Sequence, residues 1–202
     1  MLTVCLIFSV FIFWSLVGRA LLSVVVPRLA LMRSWLISPA LGLAVLVLCL
    51  MVGNQAGYPI GQFALTLSLV LLVLSLGVLV ITRPVFPVKQ LLPFVFVLVG
   101  ACVWVSWPAF QLKFNWISFV TDDYANYCIA ADRFREFGFY RSPTINELLG
   151  RDYSQYFWFM HGPSLMRFGA EHQLSWLSAL THLRSLQAVS YTHLTLPTIL
   201  RV

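Results

Sequence analysis

The sequence predicts an all-α polytopic membrane protein. About four N-terminal transmembrane helices lead to a partly helical extracytoplasmic loop domain, and the chain is expected to be cut short before further spans. Three observations predict this class. Of 202 residues, 60% are hydrophobic and 10% charged, with mean hydropathy +0.87, whereas soluble domains carry about 25% charged residues. Long apolar runs alternate with short connections rich in Pro, Gly or Arg. Finally, no Asp or Glu precedes Asp122, and all seven acidic residues lie between Asp122 and Glu171.

Residues 2–18 form the first apolar run. It lacks the basic start and small-residue cleavage site of a signal peptide, so a membrane helix is expected. The run is short unless it continues through Leu21–Val26, with Arg19 snorkelling to the interface. Pro27 then ends it. Residues 35–52 form a second span, with Pro39 near its start, where a missing N–H is tolerated. Gly53–Gln62 carries no charge and many turn formers, and predicts a tight loop. Residues 63–81 form the third span and residues 91–107 the fourth, closed by Trp107-Pro108 at interface level.

Charge predicts the orientation. Arg19, Arg28 and Arg33 follow the first span, Arg83 and Lys89 separate the third from the fourth, and the connection between the second and third has no charge. Positive-inside logic places the two basic connections in the cytoplasm. The N-terminus and residues 108–170 are then extracytoplasmic, most simply at a bacterial inner membrane. The +6 net charge is spread over these helix ends, which argues for topology and against a nucleic-acid footprint. Cys5, Cys49, Cys102 and Cys128 make no disulfide framework and are expected as small buried residues.

The region after Pro108 is dense in aromatics and has enough apolar surface to pack. Thr121 is a candidate N-cap for a helix over Asp122–Phe137. Tyr127, Ala130, Ala131, Phe134 and Phe137 recur at helical spacing, leaving Asp132, Arg133 and Glu136 off that face. Gly138 suits the stop. A turn at Ser142-Pro143 precedes a short helix near Ile145–Leu149, and residues 171–188 begin the next helix. Val189–Thr198 matches the in-frame translation of a sequencing-library transposase adapter. Residues 189–202 are therefore expected to be an artefact, and His193 and Arg201 carry no functional weight.

Chemistry points first to Asp122 and Asp123. Acids in the first turn of a helix are stabilised by its dipole, typically by about 0.3–1 kcal/mol, and need no other purpose. At the mouth of a helical bundle, a carboxylate also suits deprotonation of an acceptor hydroxyl, or a divalent cation (Mg or Mn) held against a phosphate. Neighbours on a helix point about 100° apart, so only one faces such a site directly. His161 before Gly162-Pro163, and Arg151, Arg167 and Glu171, are further candidates for substrate contact, though structural roles suit each. The aromatics Tyr153–Phe159 suit an interfacial belt, or a groove for a sugar or polyprenyl chain.

The run from Thr121 to Gly138, with Asp-Asp-Tyr-Ala-Asn-Tyr at Asp122–Tyr127 and Ala-Ala-Asp-Arg-Phe-Arg-Glu-Phe-Gly at Ala130–Gly138, resembles the first external loop of GT-C-type membrane glycosyltransferases. That superfamily includes protein mannosyltransferases and aminoarabinose transferases. Arg167–Thr181 also looks like bacterial members of unassigned specificity. The resemblance implies Asp122 or Asp123 as catalytic base, Tyr124 beside the substrate, and a polyprenyl-phosphate sugar as donor. This chain departs from the pattern in placing about four spans, not one, before the motif. The other class open to such a chain is a non-enzymatic polytopic protein: a transporter, flippase or envelope assembly component.

Overall fold

A computed structural model describes residues 2–26, 31–111, 123–141, 144–148, 169–185 and 188. Among them every regular element is a helix: α1 (Leu2–Val25), α2 (Leu31–Gln55), α3 (Ile60–Thr82), α4 (Val88–Gln111), α5 (Asp123–Glu136), α6 (Ile145–Leu148) and α7 (Ala170–Thr181). Residues 189–202, the suspected adapter translation, lie outside the described residues, as do Thr121, Ser142-Pro143 and Tyr153–Phe159.

Each long helix overruns the apolar run that predicts it. Backbone hydrogen bonding continues through polar residues that hydropathy treats as boundaries. Thus α1 continues past Arg19 to Val25, and α2 takes in Arg33 at one end and Gly53–Gln55 at the other. The loop expected over Gly53–Gln62 is reduced to residues 56–59, with Gly57 at φ 101°. Pro87 opens α4 by accepting from the N–H groups of Gln90 and Leu91, both at 3.0 Å.

Phe8–Val25, Arg33–Gln55 and Ile60–Thr82 are long and apolar enough to cross a membrane, with mean hydropathies of 1.9, 2.5 and 2.8. At 1.5 Å per residue, a 23-residue helix such as α3 spans about 35 Å, enough for a hydrocarbon core of about 30 Å. Large apolar side chains face outward along α3 and α4: Ile81 is 82% exposed, Val97 72% and Trp104 84%. Water would penalise such a surface and lipid would not. The apolar stretch described in α4, Val88–Ala101, is shorter than the other three.

The chain divides into two compact units, with breaks at Leu46/Val47 in α2 and Leu67/Ser68 in α3. The first unit holds α1, the start of α2, the end of α3, and α4. Two glycines let α1 and α2 approach closely: a Cβ on Gly18 would lie 1.9 Å from the Ser38 carbonyl oxygen, and one on Gly42 would lie 1.8 Å from that of Trp14. Small residues let helix backbones approach in the absence of a hydrophobic drive between spans. Val10, Trp14 and Val17 are buried on α1, and Ser34, Ser38 and Leu46 on α2. The second unit holds the α2–α3 turn with its flanking helix ends, together with α5, α6 and α7.

Gly18→Ala and Gly42→Ala should each destabilise the protein by about 1–3 kcal/mol, because backbone, not a flexible side chain, must move. Thermal unfolding in detergent measures this. Gly77→Ala, at a helical glycine with nothing within 4 Å of an added Cβ, should leave the midpoint unchanged or raise it.

Candidate functional site

The candidate site lies in the second unit, where α5 meets the α2–α3 turn and α7. The helix carrying the acidic motif begins at Asp123, not Asp122, and ends at Glu136. Asp123 and Tyr124 are its first two residues, which puts an acid at the positive end of the helix dipole. Asp122, Arg151, His161 and Arg167 lie outside the described residues. Of the other predicted site residues, Glu171 sits in the first turn of α7 and is 5% exposed; its Oε2 accepts from the Gly169 N–H at 3.5 Å. That position is a helix-start role. Of the predicted catalytic and substrate-contacting residues, the structure describes Asp123, Tyr124 and Glu171.

What they show instead is how the motif helix is held. Asn54, in the last turn of α2, is fully buried. Its side-chain amide donates to the carbonyls of Phe134 and Phe137 at 3.3 and 3.0 Å, and to that of Tyr58 at 3.0 Å. The Asn54 backbone carbonyl accepts from the Phe139 N–H at 2.9 Å. One residue thus satisfies orphan carbonyls at the end of α5 and stops the chain there. Two glycines allow the approach. A Cβ on Gly138 would lie 2.4 Å from the Gly57 oxygen, and one on Gly61 would lie 2.8 Å from the Arg135 oxygen.

Arg133 completes the same helix end. The spacing predicts it off the apolar face, but it is fully buried. Its Nη2 donates to the carbonyls of Phe139 at 3.0 Å and Arg141 at 2.8 Å. A buried guanidinium is tolerable because it is spent on carbonyls that the ended helix cannot satisfy. Burial lowers its pKa to about 10, so it stays protonated near neutrality. Ala130, Ala131, Phe134 and Phe137 are buried as the spacing predicts. Cys128 is buried as well, and desolvation followed by the Asp132 charge raises its thiol to about 12, which makes it unreactive.

Against this face packs α7, whose residues Glu171–Ser178 are all buried. The expected helix from 171 to 188 stops at Thr181, with His182 left-handed at φ 57°. Polar links tie the pair. Arg135 Nη1 donates to Ser178 Oγ at 2.9 Å, Ser185 Oγ to Asp132 Oδ1 at 2.6 Å, and Arg135 pairs with Asp132 and Glu136 at 3.4 and 3.1 Å. His172 is fully buried with its ring 4.5 Å from that of Phe134, and neither ring nitrogen has a hydrogen-bond partner among the described residues. Desolvation lowers its pKa to about 4. Thr144 and Glu147 form a reciprocal cap on α6, with the Thr144 N–H donating to Glu147 Oε2 at 2.8 Å, and Glu147 also pairs with Arg141.

Asn54, Arg133 and His172 are thus the residues that sequence reasoning passes over. The only signals were an amide at the end of a charge-free span, an arginine in the last turn of a helix, and a histidine beside Glu171.

Among the described residues, no group of three or more His, Cys, Asp or Glu could hold a metal ion. Mg takes one or two carboxylates and completes its six ligands with waters and substrate phosphate oxygens, so a pair of aspartates beside a donor phosphate suits the needs of that ion. No protein-family model matches the chain, and no curated protein and no solved structure matches it.

Two outcomes follow from this geometry. Asn54→Leu should leave the Phe134 and Phe137 carbonyls without their donor and cost about 1–3 kcal/mol. It should lower the thermal midpoint and speed amide exchange at Phe137–Arg141. The second outcome concerns pH. An unfolded histidine titrates near 6.5 and folded His172 near 4, so the unfolded state binds the extra proton between those values. His172's share of the stability is therefore complete above pH ~6.5 and falls by up to ~1.4 kcal/mol per pH unit toward pH 4. Denaturant unfolding across that window should show this slope, and His172→Phe should flatten it.

Proposed function

We propose that the chain belongs to an integral membrane glycosyltransferase that transfers a sugar from a polyprenyl-phosphate donor to an extracytoplasmic acceptor. In this reading Asp122 or Asp123 is the catalytic base. The observation that carries it is the placement of the acidic motif at the start of a helix whose other end is locked onto the α2–α3 turn. That turn is free of charge, while the connections at the far ends of α2 and α3 carry Arg28, Arg33, Arg83 and Lys89. Charge bias then supports an extracytoplasmic motif, with α4 as a fourth span.

The chemistry is consistent with that location. A lipid-linked donor keeps its phosphate at the membrane surface, within reach of external arginines such as Arg151 and Arg167, which stabilise a phosphate leaving group. One carboxylate takes the proton from the acceptor hydroxyl as the hydroxyl oxygen bonds to the sugar carbon. The carbon–oxygen bond to phosphate breaks, and inversion follows without a covalent intermediate. Tyr124 is assigned to substrate contact because it follows the Asp pair in the motif, and His161 before Gly162-Pro163 and Glu171 are further candidates for that contact.

A second reading, a transporter, flippase or assembly component, is favoured by Arg19. This residue lies within α1, not after it, and is 9% exposed. Ionisable residues at membrane depth mark pathways. Arg19, however, lies six residues from the end of α1, within snorkelling reach of the interface.

Asp122→Asn and Asp123→Asn are each expected to remain in the membrane. At least one should lose about 100-fold or more of transfer from a polyprenyl-phosphate sugar, the scale of a lost general base. Wild-type transfer rates in both variants would remove the assignment.

A further inference from the structure

The first unit contains no Asp or Glu. Every Asp and Glu of the chain lies between residues 122 and 171, beyond its helices. Its cations nonetheless gather at one end. Arg33 stands near the start of α2, Arg83 directly after α3, and Lys89 at the start of α4; all three are exposed. Trp35 ties this end together. Its indole N–H donates to the Val85 carbonyl at 3.1 Å, its ring meets that of Phe86 edge-on at 4.6 Å, and the Arg19 guanidinium lies 5.5 Å over it. Trp35 thereby links α1, the start of α2 and the connection after α3.

Arg19 is the second, independent observation. It is nine-tenths buried, and its Nε has no hydrogen-bond partner among the described residues. Its Nη1 donates to Ser23 Oγ at 3.1 Å, one turn nearer the basic end, so the guanidinium points toward that end. Arg83 adds a cost of its own. It sits in the left-handed region at φ 43°, where glycine would be less strained by about 1–2 kcal/mol.

We infer that this end of the first unit is a binding site for the phosphate of an anionic phospholipid headgroup, held by Arg19, Arg33, Arg83 and Lys89 around Trp35. The phosphate supplies the negative charge that the unit lacks. Arg19 provides a guanidinium already stripped of water and held over an aromatic ring, and the exposed cations complete the neutralisation. Indole and arginine at the headgroup level are the usual interface anchors. The exposed apolar side chains of α3 and α4, among them Val80, Ile81 and Phe94, offer the acyl chains a surface continuous with the cationic end. A lipid meets both requirements together, and a soluble phosphate only one.

Native mass spectrometry of the 202-residue chain in neutral detergent, with equimolar phosphatidylglycerol and phosphatidylcholine, tests this. The wild type should retain phosphatidylglycerol at least about fivefold more, the effect of one cation near a lipid surface. Arg19→Gln, Arg83→Gln and Lys89→Gln should each reduce that preference by about the same factor. Arg141→Gln, an exposed cation of the other unit, should leave it intact. If Arg19→Gln does not fold, the two exposed positions decide. Equal retention of the two lipids, or an undiminished preference in both Arg83→Gln and Lys89→Gln, would overturn the site. Displacement of the lipid by millimolar inorganic phosphate would overturn the lipid as its ligand.

Discussion

The grip of Asn54 on the end of α5 is the constraint on which the second unit depends. A single buried amide reaches two carbonyls at the end of a helix 80 or more residues away, one in its last turn and one just past it, and its own backbone carbonyl accepts from Phe139. Helix ends leave carbonyls that must find donors. Here the donors are Asn54 and Arg133, both inside the protein. The helix that carries the acidic motif is therefore fixed at its C-terminal end by a membrane-helix hairpin, and it presents its N-terminal end, with Asp123, away from the grip. For a catalytic carboxylate that arrangement is useful. A rigid element sets the direction of the site.

The two units settle the same problem, an unmatched polar group, by different means. In the second unit several charged and polar side chains pair with one another: Arg135 with Asp132, Glu136 and Ser178, Asp132 with Ser185, Thr144 with Glu147. The first unit has Arg and Lys but no Asp or Glu. Its helices come together through Gly18 and Gly42, with backbone against backbone. The outward surface of α3 and α4 is apolar enough that lipid is its natural solvent.

Much of the fold was legible in the sequence because bilayer helices announce themselves by length and hydropathy. Three of the four expected spans meet both criteria outright. Their ends were less legible, since hydropathy stops at Arg33 or Gly53 while the hydrogen-bond ladder continues. On α5, the small and aromatic residues Ala130, Ala131 and Phe134 gave the buried face correctly. Arg133 did not follow the pattern. Periodicity ranks a side chain by polarity, and cannot know that carbonyls at Phe139 and Arg141 will turn back to meet it. Asn54 was illegible for the same reason at longer range. The candidate chemistry rests on Asp122 and Asp123 and on the short motif around them; of the residues proposed to assist, Glu171 alone has a described environment, and there it serves the start of α7.

The proposed function requires that the α2–α3 turn and the chain after α5 share one compartment, opposite the connection between α3 and α4. Single cysteines at Tyr58, Tyr140 and Val85, all exposed, test it directly when introduced with the four native cysteines replaced by serine. A membrane-impermeant maleimide applied from the extracytoplasmic side should label positions 58 and 140 and spare position 85 until the membrane is opened. Labelling of position 85 from outside, with 58 and 140 protected, would contradict the topology and the enzymology built on it.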